Sequence, residues 1–238
     1  MVVETVVIPA RFAGPPDRGN GGVTAGLLAA HLDGPAEVTL RLPSPLETPL
    51  TVEATAGDML VLRDQDATIA EAVPTIVEIE VPAPPSLAVA RASAAASPVI
   101  VHPEWHPFPG CFVCGPDRPP GDGLHVHPGR VGKEELFAAP VEYPLDLAGA
   151  DGLVPIHLLW AALDCPSSFV MYMSGERPAV PYVLGRIAAR IVRRPAIDTP
   201  LVACAWEQGL DGRKLFAASA LYADDEVVAC ARATWISI

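Results

Sequence analysis

Two places in the chain bring together residue types that could act on a polarised carbonyl group. The first is Asn20-Gly21-Gly22, which follows a Gly/Pro-rich loop starting at Phe12 and precedes the apolar run Val23 to Leu32. Asn is a favoured helix N-cap, and glycines beside it leave backbone N–H groups open to an approaching ligand. The positive end of a helix suits an anion or a developing oxyanion. The same residues also read simply as a capped helix after a tight loop. The second place is Asp164, the single acid in Trp160-Ala-Ala-Leu-Asp-Cys-Pro166. A carboxylate among apolar residues must find a partner or line a cavity. Burial would raise its pKa toward the range useful to a general base or water-orienting group. The structural alternative is that Asp164 bonds backbone amides freed where Pro166 interrupts the helix.

Other candidates carry more than one reading. His157 stands seven residues before Asp164 and shares its helix face, which invites a His–Asp dyad. At the rise of an α-helix the two would stand about 10 Å apart, so the expected role of His157 is a polar residue near a helix start. Cys111-Phe-Val-Cys114 followed by His125-Val-His127 has the types and rough spacing of a zinc clip. There is only one CxxC, so packed thiols and no metal are expected. Redox chemistry of the pair is a third option. Cys165, Cys204 and Cys230 sit in apolar surroundings and read as core. Arg186, Arg190, Arg193 and Arg194 form a basic cluster in an acidic chain. On a strand Arg186, Arg190 and Arg194 share one face, a seat for phosphates or a solvated outer surface. No Gly-rich phosphate loop, nucleophile elbow or zinc-protease helix is present.

The bulk numbers limit the function classes. With 238 residues, half of them hydrophobic and 18% charged, the chain can bury a substantial core in one large or two small domains. A net charge of −12 argues against general affinity for nucleic acid or anionic membranes. No apolar run reaches the roughly 18 residues of a membrane helix. Met1-Val-Val-Glu-Thr5 lacks the basic flank of a secretion signal, and five cysteines without framework spacing suit a reducing compartment, so a cytoplasmic location is expected.

The elements that must position these residues follow one order twice. An extended lead-in and a Pro/Gly loop precede a helix over Asn20 to Leu32, ended by Gly34-Pro35. Alternation then predicts strands at Glu37–Leu42, Leu50–Thr55, Met59–Leu62 and Thr68–Val73. Residues 76–81 could close a sheet, and Leu87 to Ala96 could be a short helix. His102 to Gly129, rich in Pro and Gly, is a connection. Phe137 to Pro144 is extended again, Val154 to Met173 is a long apolar helix candidate, and strands follow at Tyr182–Val192, Leu201–Gln208, Lys214–Tyr222 and Val227–Ile238. The two helices begin about 135 residues apart. The division that results is a first repeat over 1–98, a connection over 99–130 that carries the CxxC, and a second repeat over 131–238.

One buried helix wrapped by an antiparallel sheet, twice in a chain, resembles a double hot-dog fold. The loop Phe12-Ala-Gly-Pro-Pro with Asn20-Gly-Gly22, the block Leu158 to Pro166 and the ending Leu215 to Ile238 are similar to the acyl-CoA thioesterase-like hot-dog superfamily. The expected class is therefore α+β, a double hot-dog with each antiparallel sheet wrapped around one central helix. The resemblance implies an acyl-CoA between the repeats, its acyl chain in an apolar tunnel and its thioester carbonyl at a central helix N-terminus. An acidic or amide side chain from the opposite repeat would position water, with no metal and no redox cofactor. Carried onto this chain, Asp164 and Asn20 become the catalytic candidates, and Gly21, Gly22, Trp160, Arg186 and Arg190 the substrate-binding ones. Asn20 stands where many hot-dog thioesterases have a His or an acid. The activity implied is thioester hydrolysis; binding of an acyl ligand without turnover, or a hydratase or dehydratase reaction, is the alternative. The expected partner is a small-molecule acyl thioester, and a monomer or a homodimer of double domains is the expected assembly.

Overall fold

The computed structural model describes residues 1–55 and 57–238. Its strands are β1 (Val2–Val7), β2 (Ala36–Leu40), β3 (Pro49–Ala54), β4 (Leu60–Asp64), β5 (Ala67–Pro74), β6 (Gly129–Arg130), β7 (Phe137–Val141), β8 (Tyr182–Ile191), β9 (Leu201–Asp211), β10 (Lys214–Ala223) and β11 (Glu226–Ser237). They form one sheet in the order β1-β3-β4-β5-β2-β8-β11-β10-β9-β7-β6. The seam between the early and late strands is the antiparallel pairing of β2 with β8, where Val38 faces Ile187 and Ala36 faces Ala189. The class is α+β, as the sequence pattern predicts.

Two helices lie against this sheet, α1 (Gly21–Ala29) and α4 (Ile156–Ser168). Neither is amphipathic in the ordinary sense. Val23, Ala25 and Leu28 of α1 and every residue from Leu158 to Ser168 of α4 are buried. A helix that is apolar all round belongs inside a core, and here the second buried side of each helix is the other helix. The contact is very close because α1 presents glycine. A Cβ on Gly22 would stand 2.7 Å from Ala161 Cα and 2.6 Å from Asp164 Cβ, and one on Gly26 would stand 2.5 Å from His157 Cα. Glycines four apart share one helix face, so Gly22 and Gly26 together let the two backbones touch.

The middle of the chain covers two other surfaces. Helix α2 (Leu87–Ala95) and the stretch around Val77 to Val81 lie over the sheet face away from α1 and α4, closing a second core with Ala188, Cys204, Tyr222 and Cys230. Residues 76–81 therefore do not close the sheet as a strand. Val77, Ile79 and Val81 do share a face, but that face packs onto the sheet, and Pro82, Pro84 and Pro85 remove the donors an edge strand would need. After α3 (Pro98–Val101), the connection folds back against the loop before α1. The Phe112 amide donates to Ala13 O at 2.7 Å, and Leu124 and Val126 donate to Phe112 O and Val113 O at 2.8 Å.

Candidate active site

The loop from Phe12 to Asn20 is held by backbone hydrogen bonds within itself and to Ser44. Gly14 N–H donates to Arg18 O, Gly19 N–H to Ser44 O and Asn20 N–H to Phe12 O, all at 2.8–2.9 Å. This delivers Asn20 as the N-cap of α1 in extended conformation, with its Oδ1 accepting from Val23 N–H at 2.9 Å. Asn20 is only 2% exposed. Its amide nitrogen points away from the helix and donates toward two sulfurs, Cys165 Sγ at 3.4 Å and Cys111 Sγ at 3.8 Å.

Asp164 meets α1 from the other helix. Its Oδ2 accepts the Gly22 N–H at 2.8 Å, and its Oδ1 is buried without a hydrogen-bond partner among the described residues. Burial pushes its carboxyl up to about 8, against the pull of the Gly22 N–H bond, which favours the ionised form. Asp164 does not bond amides freed by Pro166. The carbonyls of that turn are instead taken by hydroxyls, Ser219 on Leu163 O, Ser167 on Asp164 O and Ser168 on Cys165 O, each at 2.7 Å.

Asp164, Asn20 and Gly21 line a cavity of 340 Å³. Leu40, Phe169, Leu184 and Trp235 give it apolar walls, and Arg18 and Arg41 also line it. The residues that converge there are distant in the sequence: Asn20 and Gly21 stand at the start of α1, Asp164 in α4. The cavity is large enough, and apolar enough, for a small ligand with one polar end.

Several expectations are corrected by this arrangement. The Gly22 N–H is not open to a ligand, because Asp164 uses it; Gly21, first residue of the helix, keeps an N–H with no intrahelical partner and lines the cavity. Trp160 is 2% exposed and packs on Gly26, outside the cavity lining. Arg186 and Arg190 are exposed while Ile187 and Ala189 between them are buried in the helix-side core, so both arginines lie on the sheet face away from the cavity. There Arg186 bonds Thr39 Oγ1 at 3.0 Å and pairs with Glu37 at 3.4 Å, and Arg194 leaves the strand to pair with Asp151. His157 packs edge-on to Phe12 with ring centroids 5.7 Å apart, and burial lowers its pKa to about 4. It forms no dyad with Asp164.

The CxxC motif lines the same cavity, and neither His125 nor His127 joins its sulfurs. His125 bonds Pro119 O, and His127 is buried with its Nε2 unpartnered among the described residues. The group that does face Cys111 and Cys114 is Cys165 of α4, together with His106. Neither was singled out by spacing: Cys165 reads as core beside Asp164, and His106 lies in a loop rich in Pro.

No family model matches the chain, and no curated protein is significantly similar to it. Solved structures do match, over its full length. A protein of unknown function with a hot-dog fold from Alicyclobacillus acidocaldarius superposes with a TM-score of 0.64 at 15% identity, covering 100% of this chain and 96% of that one. The chain has the hot-dog fold. A tesB protein of Mycobacterium avium subsp. paratuberculosis (TM-score 0.61, 12% identity, 100% and 96% covered) is similar in the same way. So is a candidate thioesterase of Novosphingobium aromaticivorans (TM-score 0.63, 11% identity, 100% and 98% covered). At such identities the likeness extends to the hot-dog architecture and leaves the chemistry to the site. No helix among the described residues is long and apolar enough to cross a membrane.

Proposed function

We propose that this hot-dog protein hydrolyses a small-molecule acyl thioester, with acyl-CoA as the expected substrate. The observation that carries the reading is Asp164: a buried carboxyl with one oxygen anchored on the α1 amide and the other unpartnered, at the wall of an apolar cavity. In this reading the acyl chain occupies the space between Leu40, Phe169, Leu184 and Trp235. The thioester carbonyl accepts the free N–H of Gly21, where the helix dipole stabilises the oxyanion. In its ionised form, which becomes the major one above about pH 8, Asp164 Oδ1 holds the water and takes its proton as it attacks. Asn20 fixes the helix start and so the position of Gly21. Two of the superposing structures carry thioesterase names, which agrees with the reading.

The architecture proposed with it is a double hot-dog, with repeats over 1–98 and 131–238 joined by 99–130. Strand order supports this. Outward from the β2·β8 seam the sheet runs β5, β4, β3, β1 on one side and β11, β10, β9, β7 on the other, so elements in equivalent chain order occupy equivalent places. Each half contributes one buried helix, and the cavity residues Asn20 and Asp164 come from different halves. The test is thiol release from CoA esters of increasing acyl length. Hydrolysis that depends on Asp164 is expected; tight binding with no thiol released from any ester would instead make this a binding protein.

A further inference from the structure

The sulfur cluster under the cavity has features that packed thiols do not require. Cys111, Cys114 and Cys165 bring their Sγ atoms within 4.8 Å of one another, and Cys111 and Cys165 stand 3.7 Å apart. Tetrahedral zinc with Zn–S bonds of about 2.3 Å places its sulfurs about 3.8 Å apart, so the Cys111–Cys165 pair already has that spacing. The CxxC turn is built tightly. The Gly115 N–H donates to Cys111 O at 2.8 Å, and a Cβ on Gly115 would stand 2.4 Å from Pro109 O and 2.5 Å from Cys111 N. Only glycine closes the turn that points both sulfurs inward.

N–H donors surround the sulfurs. His106 is buried, and its Nδ1 accepts the Phe108 N–H at 3.0 Å. The proton of the neutral ring is therefore on Nε2, which stands 3.2 Å from Cys114 Sγ and donates to it. Asn20 donates to Cys165 and approaches Cys111. Neutral thiols gain little from such donors, whereas metal-bound thiolates, with excess negative charge, are oriented and stabilised by them. The remaining cysteines, Cys204 and Cys230, lie in the second core and are not part of the cluster.

We propose that Cys111, Cys114 and Cys165 bind one zinc(II) ion, with His106 and Asn20 donating N–H bonds to the coordinated sulfurs and the fourth coordination position facing the cavity. All three cysteines line that cavity. Two ligands come from the connection and one from α4, so the ion would tie the long loop to the central helix. This departs from the expectation of a metal-free site, and replaces His125 and His127 by Cys165. The proposal is independent of whether the protein hydrolyses thioesters.

The experiment is metal analysis of the full chain purified without chelators, followed by replacement of the bound ion with cobalt(II). About one equivalent of zinc per chain is expected, with an intense thiolate-to-cobalt absorption and visible bands of tetrahedral strength. Cys165→Ser and Cys111→Ser should each retain under about a tenth of an equivalent, while Cys204→Ser keeps the full amount. His106→Ala should weaken zinc affinity by about 10–100-fold without changing the stoichiometry. Wild-type protein that takes up no zinc or cobalt after reduction and incubation with the ion overturns the proposal, as does a wild-type Cys111–Cys165 disulfide that no metal competes with. The wild-type measurements stand even where a cysteine variant fails to fold.

Discussion

The amide of Gly22 donates to the carboxyl Oδ2 of Asp164 at 2.8 Å, across 142 residues of sequence. That bond exists because nothing but hydrogen separates the two helices at this point. A Cβ on Gly22 would meet Asp164 Cβ, Ala161 Cα and Trp160 O at 2.6–2.7 Å. Two of these are backbone atoms, which cannot rotate aside. Gly22→Ala should therefore lower stability by about 1–3 kcal/mol, the usual range for overpacking a core, and should move Asp164 off its amide. Thermal unfolding together with thiol release checks this; an unchanged melting temperature would mean that the helices are not in such close contact.

The acidic limb of stability offers a second test. Burial holds the His157 pKa at about 4, below its ordinary 6.5. The unfolded chain then binds the proton more tightly than the folded one, so this contribution to stability is full above pH 6.5 and is lost as pH falls toward 4. His157→Gln should shorten that fall by an amount on the order of 1–3 kcal/mol between these two pH values, allowing for partial exposure of the ring. Denaturant titrations at pH 7 and pH 4.5 measure it, and an equal fall in both proteins would contradict the assignment.

Charge near the cavity should matter only on the correct face of the sheet. Arg18 is exposed and lines the cavity, whereas Arg186 and Arg190 lie on the opposite face. Arg18→Ala should raise KM for a CoA ester several-fold with kcat nearly unchanged, the signature of lost uniform binding. Arg186→Ala and Arg190→Ala should leave both within about twofold, as surface pairs contribute little. A large KM effect at Arg186 or Arg190 would place the CoA phosphates elsewhere.

Acyl length should be read by the apolar wall. Leu184 is 8% exposed and lines the cavity beside Gly21. Leu184→Trp should fill the space and penalise long acyl esters relative to acetyl esters by about tenfold, since each lost methylene contact is worth roughly 1 kcal/mol. Equal losses for both esters would show that the chain does not lie against Leu184.

Much of this was legible in the sequence because it is local. The helix start at Asn20, the strand alternation and the isolated acid in an apolar helix are patterns within a few residues, and α1, β2 to β5, α2, α4 and β8 to β11 lie where those patterns predict. What escaped depends on packing across the chain. Glycines at 22 and 26 are visible, but that they face Ala161 and His157 is not. Cys165 looks like one more core thiol until the connection folds back and sets Cys111 and Cys114 against it. His-x-His attracts attention through spacing alone, while His106 has no neighbouring motif to mark it. Residues 76–81 read as a segment able to close a sheet, yet with the prolines after them their apolar face packs onto the sheet instead.

The central claim is that Asp164 Oδ1 activates the attacking water, and the most direct measurement is thiol release by Asp164→Asn under conditions where its unfolding transition matches that of the wild type. Asparagine keeps an acceptor for the Gly22 N–H but cannot take a proton. A fall in kcat of about 10²- to 10⁴-fold with little change in KM is predicted; a folded Asp164→Asn protein that hydrolyses acyl-CoA at the wild-type rate would contradict the account.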